Sequence, residues 1–136
     1  MSTTTPIPTP TRATDTDRRL LQALRVAAAL TVLSVGFQFV TAGRLFPDGG
    51  PEQVHAAGAV VLHLLSGLTA IAAVLLWRRT GAPVRMPALA VVVFVLTFLQ
   101  AATGGRSTLW LHVPGAMVLT AGVVWLAVWA FTTARR

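Results

Sequence analysis

Hydrophobic residues in this chain neither alternate with polar ones nor recur on a single helical face. They fill four long runs, at about residues 20–43, 53–77, 86–104 and 108–131, separated by short breaks rich in glycine, proline and arginine. A helix rises about 1.5 Å per residue, so about 20 apolar residues suffice to cross the hydrocarbon of a bilayer. Arg25 and Gln38 interrupt the first run. The pattern predicts an all-α integral membrane protein, a four-helix bundle held in a lipid bilayer. The preceding MSTTTPIPTPTRATDTD offers almost nothing to bury. Residues 1–18 are therefore expected to be a disordered cytoplasmic tail and residues 19–136 the transmembrane domain. Arg18-Arg19 before an apolar run has the look of a twin-arginine export signal, but the run is too long and Arg25 interrupts it, so an uncleaved first helix is expected.

The breaks carry helix punctuation. Asp48-Gly49-Gly50-Pro51 predicts a turn, with Pro51 and Glu52 in the first turn of the second helix, where a missing N–H costs nothing and an acid suits the dipole. Arg78-Arg79-Thr80-Gly81 ends that helix with cations and a glycine, and Ser107 is the expected N-cap of the fourth. Connections this short make successive helices antiparallel neighbours.

Composition agrees with a membrane location: 11% of residues are charged, against roughly 25% in soluble domains, and 54% are hydrophobic. The absence of cysteine excludes disulfides, thiolate metal sites, iron–sulfur clusters and cysteine nucleophiles. The net charge of +7 comes from eleven arginines and no lysine. Nine of these arginines flank the N-terminal end of the first run, the break between the second and third, or the C-terminus, whereas only Arg44 and Arg106 lie on the other side. The positive-inside bias then puts both termini in the cytoplasm of a plasma membrane. Because the arginines follow span ends and form no stripe with aromatics, nucleic acid is not an expected partner. Trp77 and Trp110, near span ends, fit an interfacial belt.

Two segments recur. Gln38 to Arg44 (QFVTAGR) matches Gln100 to Arg106 (QAATGGR) at Gln, Thr, Gly and Arg, and His55 to Leu62 (HAAGAVVL) matches His112 to Leu119 (HVPGAMVL) at His, Gly, Ala, Val and Leu. Rare residues weigh most here: two of four glutamines, two of three histidines and both outer arginines fall in register. This predicts two tandem helical hairpins in the same orientation, a parallel repeat about an axis along the membrane normal.

In a ring of four helices the second and fourth lie on a diagonal, roughly 11–14 Å apart when neighbours pack at about 8–10 Å. His55 and His112 sit at matching depth near the outer ends of those helices, with Gln38 and Gln100 at a similar level on the other two. Small neighbours (Ala56, Ala57, Gly58, Gly115, Ala116) leave room for a flat ligand or for close helix contact. One expectation is bis-histidine haem ligation, with Arg44 and Arg106 pairing with the propionates. His63, eight residues past His55, is rotated by about 80° and lies roughly 12 Å deeper, so it cannot share that plane. A hydrogen bond to Ser66, Thr120 or a carbonyl is its expected role.

The run FLQAATGGRSTLWLHVPGAMV resembles the third and fourth helices of a heme A synthase half, in which a glutamine and glycines end one helix and a histidine starts the next. Glu52-Gln53-Val54-His55 is similar to that family's glutamate three residues before its first ligand histidine. The resemblance covers residues 20–131 and implies a four-helix haem-binding bundle with ligands His55 and His112, Glu52 near the iron and a b-type haem. The chain matches one half where the family's enzyme has two; Ala56 stands where an arginine usually follows the first histidine, and the outer cysteine pair is missing. Haem binding for electron transfer or haem handling, with a redox partner, is thus implied rather than haem-methyl oxidation. The chain also resembles small four-span membrane proteins of high-GC bacteria, which imply no activity.

Two other functions compete with haem binding. A cofactor-free structural or assembly protein would use the small-residue spacings Ala23/Ala27 and Ala101/Gly105, with Gly58, Gly67, Gly115 and Gly122, for helix contacts. A transporter or channel ranks last, because no acid lies inside a span. No nucleotide loop, metalloprotease motif, serine triad or carboxylate pair is present, so no catalytic residues are assigned.

Overall fold

The structure, a computed structural model, describes residues 14–46, 49–81 and 83–132. The described residues form four α-helices, α1 (Asp15–Leu45), α2 (Glu52–Thr80), α3 (Arg85–Ala102) and α4 (Leu109–Thr132), with a 3-10 turn at Arg106–Thr108 ahead of α4 and no strand. All four are long and apolar enough to cross a membrane.

Polar caps decide where several helices begin and end. α1 begins at Asp15, ahead of the apolar run, because Thr14 and Asp17 form a capping box that satisfies the first free N–H groups. Residues 15–18 therefore belong to the helix, and the expected tail before Thr14 lies outside the described residues. Pro51 is the N-cap of α2 and Glu52 its first residue. Asp48, in the expected turn, lies outside the described residues, but Gly50 N–H donates to Arg44 O at 3.0 Å, and a Cβ at Gly50 would lie 2.2 Å from that oxygen. At the other end of α2, Gly81 takes a left-handed conformation and donates to Trp77 O at 2.9 Å. Ser107 is not the N-cap of α4 but lies inside the 3-10 turn, which follows extended Gly105. Thr108, whose hydroxyl donates to Thr103 O at 2.7 Å, holds that turn against the end of α3.

The helices form a ring in chain order, α1–α2–α3–α4, closed by α4 against α1. Among the described residues the diagonal pairs α1/α3 and α2/α4 make no close backbone approach. Neighbours run antiparallel, as ties at both ends show. At the end of the bundle that holds the start of α1, called inner here and the opposite end outer, Arg79, late in α2, pairs with Asp17 at 2.8 Å, and Arg25 Nε donates to Ala130 O at 3.0 Å, its guanidinium 5.7 Å from the Phe131 ring centre. At the outer end Gln38 Nε2 donates to His55 O at 3.3 Å.

The core is not centred along the bundle. Leu24, Ala28, Ala73, Leu76, Ala90, Val93, Val123, Leu126 and Ala130 are buried in the inner two-thirds, joined by Thr31, Ser66 and Thr69. Small alanines allow this close approach, and Thr31 and Thr69 meet across α1 and α2 at 3.1 Å. Glycines expected at helix contacts are used inside the bundle: Gly67 faces Phe94 and Gly122 faces Val93. Toward the outer end burial thins. Between Glu52 and Gly58 only Gly58 is buried, and no residue of α4 before Leu119 is.

Candidate functional site

His55 lies in the first turns of α2 and is half-buried. Its Nδ1 is 2.9 Å from Thr41 Oγ1, and that hydroxyl is 3.1 Å from both Phe37 O and Gln38 O. A hydroxyl has one proton. If it goes to a helix carbonyl, which can only accept, the oxygen keeps a lone pair for Nδ1–H, and no two lone pairs face each other. That arrangement calls for the Nδ1–H tautomer of His55, which leaves Nε2 unprotonated.

His112 reaches the same state by another route. Its Nδ1 is 2.9 Å from Gln100 O, a carbonyl in the last turn of α3, so the ring nitrogen must donate. The ring lies over Gly104, where a Cβ would be 3.7 Å from Cε1. Neither Nε2 has a hydrogen-bond partner among the described residues, and neither is sealed from the surface. Fixing one ring nitrogen on an oxygen acceptor and leaving the other lone pair free is how ligating histidines are oriented.

Each imidazole leans on the helix that precedes its own, His55 on α1 and His112 on α3. The glutamines occupy matching seats: a Cβ at Gly58 would lie 2.2 Å from Gln38 Nε2, and one at Gly115 would lie 2.1 Å from Gln100 Nε2. Both glycines are needed for a glutamine amide to cross their helix. Gln100 Oε1 is buried and has no hydrogen-bond partner, an uncompensated polar atom in the otherwise thinly packed outer end. Arg44, Arg106 and Glu52 are exposed at the outer mouth, and among the described residues no ion pair engages them.

His63 stands apart. Its Nδ1 lies 2.7 Å from Thr97 Oγ1, and the ring stacks on Phe98 with centroids 4.3 Å apart. The expected partners do not hold the ring: Ser66 donates instead to His63 O, and Thr120 to Ala116 O. The ring lies on the α2/α3 seam, where Thr97 is the hydroxyl in reach. The sequence reading also missed Thr41, whose visible signal was the Gln-x-x-Thr match with Gln100 and Thr103.

Two cavities are notable. One, of about 10 Å³, lies in the inner core among Ala28, Thr31, Ser66, Thr69, Ala90, Val93, Val123 and Leu126. The other, of about 300 Å³, is a groove between α1 and α2. Neither is lined by His55 or His112. Among the described residues no group of three or more His, Asp or Glu side chains is placed to hold a metal ion. Comparison with protein-family models, curated proteins and solved structures finds no match for the chain.

Proposed function

We propose that the chain is a membrane haem-binding bundle, with His55 and His112 as the two axial ligands. The observation that carries this is a pair of imidazoles on diagonal helices at the same end of the ring, each with Nδ1 2.9 Å from an oxygen, Thr41 Oγ1 or Gln100 O, and with no partner for Nε2 among the described residues. The thin packing at this level and the orphaned Gln100 Oε1 are compatible with a group seated there. Arg44 and Arg106 are free to meet carboxylates at the mouth. A b-type haem held this way would supply one-electron transfer, and the protein would hold, orient and shield it. The resemblance to a heme A synthase half supports the same function.

A parallel tandem repeat is part of this reading. In the register set by Gln38/Gln100 and His55/His112, the inner cavity is lined by four equivalent pairs: Ala28/Ala90, Thr31/Val93, Ser66/Val123 and Thr69/Leu126. Such pairing is what a two-fold axis through the cavity would produce. The arginine distribution supports a multi-pass protein of a bacterial plasma membrane with both termini cytoplasmic.

The test is optical. Protein purified from a haem-replete host should show a Soret band and low-spin reduced bands that are lost in His55→Ala and in His112→Ala but kept in His63→Ala. A folded protein that stays colourless after haem is added overturns the proposal. That outcome would favour the competing reading, a cofactor-free structural or assembly protein, whose support is that both cavities lie away from the histidines.

A further inference from the structure

The α1/α2 groove contains one polar group that the fold leaves unpaired. It is walled by Leu33, Phe37, Val61 and Leu65, has Gly58 on its floor and receives the hydroxyl of Ser34. Its volume of about 300 Å³ is at the lower end for a small-molecule site. Ser34 is only 8% exposed, and its hydroxyl makes no hydrogen bond among the described residues. Beyond the first turn of α1, every other described serine and threonine within the four α-helices donates to a carbonyl three or four residues back, as Thr31 does to Ala27 O and Thr69 to Leu65 O. Ser34 is the exception, and it is the one that faces the groove.

Depth narrows the choice of occupant. The first apolar run spans residues 20–43, which puts Ser34 about 4 Å from its middle at a rise of 1.5 Å per residue. Lipid ester carbonyls lie about 15 Å from the bilayer midplane, and water is absent there. An acyl chain would fill the groove yet leave the O–H unpaired, and a buried unpaired donor is costly. The acceptor must therefore belong to a molecule dissolved in the hydrocarbon. Phe37 offers a half-exposed ring for offset stacking beside the hydroxyl. A flat ring bearing a carbonyl meets both demands. We propose that this groove binds the headgroup of a membrane-dissolved quinone, one carbonyl accepting from Ser34 Oγ–H and the ring lying against Phe37.

The site does not rest on the haem proposal and is tested separately from it. The full chain in saturated phosphatidylcholine nanodiscs is titrated with a decyl-substituted benzoquinone carrying ¹³C at the ring carbonyls, followed by infrared difference spectroscopy. One carbonyl band should move to lower frequency on binding. Ser34→Ala, which removes one oxygen and leaves the packing intact, should abolish that shift and weaken binding about tenfold. His55→Ala should leave both shift and affinity unchanged. Decylbenzene, with the same tail and no carbonyl, should compete poorly. Equal competition by decylbenzene would mean a groove for acyl chains and overturn the proposal. An unchanged shift in Ser34→Ala, or loss of quinone binding in His55→Ala, would overturn it as well.

Discussion

Thr41→Val tests the tautomer assignment on which the haem proposal stands. Thr41 is buried, with 7% of its surface exposed, and valine has nearly its shape, so the change removes one acceptor without opening a cavity. In the wild type that acceptor holds the proton on Nδ1 of His55 at 2.9 Å. A net hydrogen bond of this kind is worth about 0.5–1.5 kcal/mol, so the ratio of Nδ1–H to Nε2–H forms should fall about twofold to about twelvefold. His112 is the internal control, because its acceptor is the backbone carbonyl of Gln100 and the substitution does not touch it. Nitrogen-15 NMR of histidine-labelled protein in lipid, at a pH where the rings are neutral, reads the two forms directly. His55 should shift toward Nε2–H while His112 stays as it was. Where haem is present, losing such an orienting contact typically weakens metal binding about 10–100-fold, so haem affinity should drop in the same variant. A His55 spectrum unchanged by Thr41→Val would refute the assignment, and with it the claim that Nε2 is held ready as a ligand.

Further outcomes follow from packing and charge. Gly122→Ala would place a Cβ 2.8 Å from Val93 Cγ2, and Val93 is buried and stiff at its β-branch, so the thermal midpoint in detergent should fall by the equivalent of about 1–3 kcal/mol. Gly36→Ala, with open space at its Cβ, should raise it through helix propensity by up to about 1 kcal/mol; equal effects of the two changes would contradict the packing. Asp17 lies before the first apolar run, where hydrogen bonds from Arg79 and Thr14 lower its pKa from 3.8 to about 2. The folded value is depressed, so the α1–α2 tie it makes is at full strength above about pH 4 and is lost as pH falls through about 2. Carboxyl carbon NMR should show that low midpoint, and a value near 3.8 in the native protein would refute the contact. With no native cysteine to confuse labelling, a cysteine at Ser107 should react from outside intact cells and one at Thr80 should not. The reverse pattern would invert the proposed orientation.

The uniform apolarity that locates the four helices also hides which face of each is inside. Lipid rewards apolar residues outside the bundle as readily as inside it, so the large hydrophobics Leu33, Leu64, Val118 and Trp125 lie exposed while the core mixes leucine and valine with alanine, serine and threonine. Helix ends departed from expectation where polar side chains set them. Thr14 with Asp17 extends α1, and the turn after Gly105 draws Ser107 away from the cap of α4. At the candidate site, helix rise made the depths of His55 and His112 legible. Their ring partners were not, because Thr41 and Gln100 lie across a loop whose path decides which atoms meet. Four of the matched residues now have a packing explanation: Gln38 crosses α2 only because position 58 is glycine, and Gln100 crosses α4 only because position 115 is glycine. Their recurrence therefore says nothing about a cofactor. With those four set aside, the histidines remain, and glutamine packing gives no reason for either ring to keep a bare Nε2. The functional proposal concentrates on those two nitrogen atoms, which is why a one-oxygen change at Thr41 tests it more sharply than removing either histidine.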